Sequence, residues 1–217
     1  GLGLRGLQDA LYKLNINSPT VWERIADQPN FGQFPTYWSK KENVVLFTQG
    51  IHPLTRSDLF QVSLKGNKVH PLIETPGWDL DARLSPDGRW LSYALEAKDG
   101  SHVYVRPYNR EGKPIKVSLK NGRGPVWNKL GDKLWYSASG EDGLYEIKMS
   151  EGQPVSKPVK KFSGAEGMFN DIWTQSYDIS PSGKWYNFLP GPKPPQGRIE
   201  VVTNWFSELN RAIPLRR

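Results

Sequence analysis

The chain has no cysteine among its 217 residues. Disulfides, thiolate metal sites and cysteine nucleophiles are thereby excluded, while the compartment stays open, because a core of this size holds without staples. Histidine is also scarce, with only His52, His70 and His102. No apolar run approaches the ~20 residues that a membrane helix needs, and the N-terminus lacks the charged-then-apolar layout of a secretory signal. Blocks of like charge are missing too. The 29 Lys and Arg against 22 Asp and Glu leave a formal charge of +7, yet the basic residues are dispersed, and the longest cluster is "KPVKKF". This pattern reads as a basic, solvated surface and not as a nucleic-acid footprint. The first residue is Gly rather than Met, and the chain is read as a piece of a longer polypeptide.

What the chain does have is turns and aromatics. Its 21 Gly and 18 Pro are scattered throughout, and nine Trp, nine Tyr and eight Phe supply large side chains for packing between sheets. Four segments align without gaps: "WSKKENVVLF" from Trp38, "LSPDGRWLSY" from Leu84, "WNKLGDKLWY" from Trp127 and "ISPSGKWYNF" from Ile179. Their starts are 46, 43 and 52 residues apart. Each carries a large apolar residue, then Ser or Asn, a polar turn, and a strand closing on an aromatic: Phe47, Tyr93, Tyr136 or Phe188.

A second series follows each of these, "DLFQVSL", "HVYVRPY", "GLYEIKM" and "RIEVVTNW", with "ALYKLNI" as an extra early copy. Leu11-Tyr12, Leu59-Phe60, Val103-Tyr104 and Leu144-Tyr145 fall at equivalent positions. A turn and one more short strand come next, as in "TVWERIA", "KVHPLIE", "PIKVSL" and "PVSKPVKKF". Four antiparallel strands per ~45 residues make the blade of a β-propeller. The expected fold is therefore all-β, with about five blades or a partial ring. The expected boundaries are a partial blade at 9–34, blades at about 35–77, 78–122 and 123–164, a last blade at about 175–205, and a tail at 206–217.

The turn in "SPDGRW" has a physical logic. Pro86 pre-sets φ at a corner, Asp87 can accept from nearby backbone N–H groups, and Gly88 tolerates positive φ. With its "W-hydrophobic-x-Tyr" strand, "ARLSPDGRWLSY" resembles the SPDG repeats of TolB-like propellers. "YDISPSGKWYNF" is a good second copy, while "YWSKKENVVLF" and "VWNKLGDKLWY" are degenerate. The resemblance runs from about residue 9 to about residue 210. It implies the C-terminal part of a larger bacterial protein, a periplasmic or extracytoplasmic location, and a platform that binds other proteins; it carries no individual site residue.

Chemistry has few footholds. No G-x-S-x-G elbow is present, and His52 is expected in a loop, with His70 and His102 in outer strands of different blades, so a Ser-His pair has no support. Asp79 and Asp81 in "WDLDAR" are expected just before an innermost strand, near the mouth of the channel. There they could hold a cation loosely, but a salt bridge to Arg83 or a turn bond fits two carboxylates without a calcium loop better. A glycosidase would need paired carboxylates across a cleft, from among Asp79, Asp81, Asp171 and Asp178.

The longest departure from the repeat is "GAEGMFNDIWTQSYD", which joins two blades at the face where innermost strands begin. Met168, Phe169, Asp171 and Trp173 there, with Trp78, Asp79 and Asp81 at the equivalent junction, form the expected ligand-binding surface. The expectation is a non-catalytic domain binding a protein, peptide or small ligand at one face. It uses no metal or cofactor, binds no nucleic acid and inserts no segment into a membrane. A propeller glycosidase and a purely structural or regulatory domain are the alternatives.

Overall fold

The computed structural model describes residues 10–27, 32–52, 54–119, 121–138, 143–163, 177–180 and 186–188. Every regular element among them is a β-strand. The first two, β1 (Ala10–Asn15) and β2 (Ser18–Asp27), form an antiparallel pair. Next comes β3 (Gln33–Ser39), followed by β4 (Val44–His52), β5 (Arg56–Ser63) and β6 (Val69–Ile73), and each of these last three pairs antiparallel with the strand before it. The same meander repeats in β7 (Trp78–Leu84), β8 (Trp90–Ala97), β9 (Gly100–Pro107) and the short β10 (Ile115–Lys116).

A third meander holds β11 (Arg123–Trp127), β12 (Lys133–Ala138) and β13 (Gly143–Ser150), whose outer edge pairs with β14 (Gln153–Pro154) and β15 (Val159–Ser163). A last antiparallel pair, β16 (Tyr177–Ile179) and β17 (Tyr186–Phe188), follows. The first two meanders are stitched by a single parallel rung, Ser57 against Trp78.

The second strands of the meanders are buried on both faces, so their sequences read as apolar runs more than as strict alternation. In β8, Trp90 through Ala94 are all buried, and in β12 so are Leu134 through Ala138. The reason is that each sheet is covered by its neighbours. Leu46, Leu59, Leu84, Leu91 and Tyr93 meet between the first two meanders. Trp90, Val103, Leu134, Tyr136 and Ile147 meet between the second and third. Leu11, Ile25, Phe47 and Val62 join β1 and β2 to the first, and Val126, Trp135, Tyr177 and Ile179 join β16 to the third.

One aromatic rung recurs. Phe47 stacks on Phe60, Tyr93 on Tyr104 and Tyr136 on Tyr145, each pair directly opposite in register. Their ring centroids are 5.7, 5.7 and 5.5 Å apart. Phe47, Tyr93 and Tyr136, expected from the sequence to close their strands, instead lie within β4, β8 and β12, and each pair adds cross-strand attraction to its burial.

The SPDG turn closes as its residues dictate. Ser85 Oγ donates to Asp87 Oδ1 (2.5 Å) and accepts from Trp90 N (3.0 Å), Asp87 Oδ1 accepts from Arg89 N (3.1 Å), and Gly88 N donates to Ser85 O (2.8 Å). Gly88 sits at φ +70°. The degenerate copy "NKLGDK" reproduces this pattern. Asn128 Oδ1 accepts from Lys133 N (3.0 Å), Gly131 N donates to Asn128 O (3.1 Å), and Gly131 lies at φ +74°. Trp90 turns its ring to the third meander, where a Cβ added at Gly152 would fall 2.2 Å from it.

Candidate functional site at the channel

The first strands of the units lie against one another, β7 beside β3 and β11, and β11 beside β16. Each of β3, β7 and β11 carries a bulge, at Thr36, at Asp81-Ala82 and at Gly124-Pro125. Such a bulge bends a strand and re-aims the side chains that follow it. Asp81 takes φ +58° at its bulge, and its Oδ2 accepts from Gly124 N (3.0 Å) in β11. The buried Tyr177 hydroxyl in turn donates to the Gly124 carbonyl. Burial pushes that phenol well above its usual range. β7, β11 and β16 are thus tied together at the level of the β7 and β11 bulges.

Beyond the bulges lies a cavity of about 370 Å³, lined by Tyr37, Arg83, Leu84, Trp127, Lys129 and Ile179 among others. Its lining draws on β3, β7, β11 and β16 together with turn residues such as Pro86 and Asn128. Arg83 is its central polar group. The guanidinium lies 6.0 Å from the centroid of the Tyr37 ring, and its Nη1 is 3.6 Å from Asp178 Oδ1. The Arg83 side chain is 19% exposed, against 66% for Asp178. A half-buried cation between an aromatic face and a solvated carboxylate can accept an anionic group beside apolar walls.

The other end of β7 differs. Trp78 is half-buried, with the Arg56 guanidinium 5.9 Å from its ring centroid. Beside it a shallow cavity of about 420 Å³ is lined by Arg56, Pro76, Gly77, Glu96, Lys98 and Asp99. Asp79 faces away from this opening and is fully buried. Its Oδ2 accepts from Thr75 N (2.9 Å) and its Oδ1 from Thr75 Oγ1 (3.1 Å). Burial pushes the Asp79 carboxyl up to about 6, with a smaller upward push from Asp58 and a downward pull from the Thr75 bonds.

The sequence-expected residues are therefore distributed unevenly. Asp79 and Asp81 do not precede the innermost strand but lie inside it, because β7 begins at Trp78. Arg83 reaches Asp178 of the fourth sheet, a partner the sequence reading did not assign to it. Met168, Phe169, Asp171 and Trp173 fall outside the described residues. His52 is the last residue of β4, opposite Arg56, and not a loop residue. Of the carboxylates considered for hydrolysis, Asp79 is buried on Thr75, Asp81 is bonded to Gly124, and Asp178 sits beside Arg83.

What sequence reasoning missed at this site is the trio of Tyr37, Arg83 and Asp178. The signal was present: each stands two residues before the turn serine of its repeat, Ser39, Ser85 and Ser180. Residues at one register position of neighbouring first strands converge when the strands surround a common axis.

With this geometry in view, comparison with solved structures decides the fold. TolB from Acinetobacter baumannii superposes with a TM-score of 0.57 at 18% identity, over 70% of this chain and 38% of that one. A TolB from Agrobacterium tumefaciens gives 0.60 at 15% identity, over 87% of this chain and 69% of that one. The fold is that of a TolB-like β-propeller. The same propeller architecture is also similar to an oligogalacturonate lyase in complex with manganese, with a TM-score of 0.56 at 15% identity over 82% of this chain and 50% of that one. TolB-like propellers thus stand beside an enzyme on one scaffold, and the scaffold alone assigns no activity. The chain spans well under half the length of the first of these propellers and about two thirds of the second. No family model matches the sequence, and no curated protein does.

Proposed function

We propose that this propeller segment is a non-catalytic, extracytoplasmic binding module that holds an anionic group of a peptide, protein or small ligand in the cavity around Arg83. The carrying observation is the position of that guanidinium, between the Tyr37 ring and Asp178 at the meeting of four first strands. Trp127, Leu84 and Ile179 supply apolar wall, Lys129 adds a second cation to the lining, and the cavity of about 370 Å³ is within the range of small-ligand sites. A carboxylate entering here would compete with Asp178 for Arg83, a partner exchange that leaves no buried charge alone. Extracytoplasmic placement is supported by the resemblance to TolB. The alternative surface around Trp78 lies at the opposite end of β7 and makes a distinct prediction.

A protein-observed NMR screen, following the indole N–H resonances against carboxylate-bearing fragments and C-terminal peptides, tests the reading. Hits are expected to shift the Trp127 indole resonance and to be lost in Arg83→Gln while the chain stays folded. Hits that shift only the Trp78 indole, or that survive Arg83→Gln unchanged, would overturn it.

A further inference from the structure

At the end of the first complete blade nearest Trp78, three polar residues occupy one rung. Gln33 of β3 lies directly opposite Gln49 of β4, and Gln49 lies directly opposite Asp58 of β5. Directly opposed residues in a sheet point to the same face with Cβ atoms roughly 5 Å apart. All three are more than nine-tenths buried, at 8%, 6% and 4% exposure. Burial of this depth requires polar partners. Thr55 Oγ1 donates to Asp58 Oδ2 (2.6 Å), but Asp58 Oδ1, Gln49 Oε1 and both polar atoms of the Gln33 amide have none.

The balance of donors and acceptors points to the chemistry required. Three buried, unpartnered oxygens lie along one rung on one sheet face, one of them on a carboxylate, and the single unused donor group of the rung is the Gln33 amide. Turning that amide towards one oxygen leaves the others bare. β4, which carries Gln49, is paired on both sides, so its own N–H groups are committed to the ladders. Asp79 lies close enough for the charge of Asp58 to raise its carboxyl. Carboxylate and amide-carbonyl oxygens together are the ligand set of hard cations.

We propose that Gln33, Gln49 and Asp58 form a binding site for a hard, oxygen-seeking metal cation, through Asp58 Oδ1 and the two amide carbonyls. The site stands just inside the β4–β5 turn, where Gly50 N donates to Gly32 O (2.8 Å) and fixes the start of β3 against the end of β4. Binding there locks β3, β4 and β5 together at this end. Three protein oxygens are a partial shell, so water completes it and the affinity is modest.

The test is a thermal unfolding series on the intact chain, first stripped with chelator, then given Ca²⁺, Mg²⁺, Na⁺ or K⁺ against a choline background. One of these cations is expected to raise Tm saturably, by roughly 5 °C or more at 100 times its Kd, and calorimetric titration of that cation into the wild-type chain should give about one site. Asp58→Asn should abolish the response, and Gln33→Leu, which removes a ligand but no charge, should weaken it several-fold. If Asp58→Asn fails to fold, Gln33→Leu and the wild-type titration decide. The proposal is overturned if no cation shifts the wild-type Tm, or if Asp58→Asn raises Tm equally in every buffer, the signature of a rung that only needed an amide.

Discussion

Arg89, in the turn after β7, makes a two-point contact with Glu151 of the next blade: Nη1 to Oε2 at 2.8 Å and Nη2 to Oε1 at 3.1 Å. The same guanidinium holds Asp87 of its own turn, Nε to Oδ2 at 2.6 Å. The repeat motif therefore does more than reverse the chain; it hands each turn to the neighbouring blade. Lys41, in the turn before, donates likewise to the Asp87 carbonyl.

Because both ends of the Arg89–Glu151 contact are exposed, solvent and salt screen it. Arg89→Lys should keep the charge but lose the fork geometry, and lower Tm slightly. The double variant with Glu151→Gln should lose less than the sum of the single changes, and the coupling should shrink in 1 M salt. A double-mutant cycle by thermal unfolding reads both.

Asp87 gives an acid-side signature. Burial raises its carboxyl, but hydrogen bonds from Ser85 and Arg89 outweigh this and hold it at about 2. A depressed folded pKa contributes stability that is complete above the unfolded value near 4 and is lost as pH falls towards 2. Asp87→Asn should flatten the fall in urea midpoint between those pH values and leave little pH-dependent difference above pH 5.

Asp79 runs the other way. Its carboxyl is raised to about 6 in the folded chain, so its contribution is complete below the unfolded value near 4 and is lost as pH rises through 6. At pH 7.5 the buried anion costs on the order of 3 kcal/mol. Asp79→Asn, which keeps an oxygen for Thr75 N, should raise stability at pH 7.5 and change little at pH 4. Urea titrations at the two pH values, with choline as the only added cation, measure the difference.

Gly152 sits at φ +70°, and a methyl group there would fall 2.2 Å from the Trp90 ring. Gly152→Ala should therefore cost ~1–3 kcal/mol or more through backbone strain and overpacking. A surface control such as Lys148→Ala, on an exposed position of β13, should cost far less. Comparing chemical denaturation midpoints separates the two.

The strand order and the aromatics of the rungs Phe47–Phe60, Tyr93–Tyr104 and Tyr136–Tyr145 were legible because they repeat, one in the second strand and one in the third, at fixed offsets from the turn, though their pairing came only with the register. The degenerate turn at Asn128 was legible for the same reason, since Asn supplies the same acceptor as Ser85. The bulges at Thr36, Asp81 and Gly124 were not, because an extra residue in a strand leaves no compositional mark. Without them Asp79 and Asp81 were placed before β7 and not in it. Gln33, Gln49 and Asp58 were equally invisible, since residues far apart in sequence share a rung only once the register is known.

The recurring rings also have an optical consequence. Tyr93 with Tyr104 and Tyr136 with Tyr145 are near-parallel, at 23° and 10°, while the corresponding pair in the first blade is Phe47 with Phe60. Two closely spaced phenols couple electronically in a way that two phenyl rings at the same wavelength do not. The chain thus carries built-in spectroscopic labels on its second and third blades and none of that kind on its first. Replacing one tyrosine of a pair by phenylalanine would silence a single blade and let its melting be followed apart from the others.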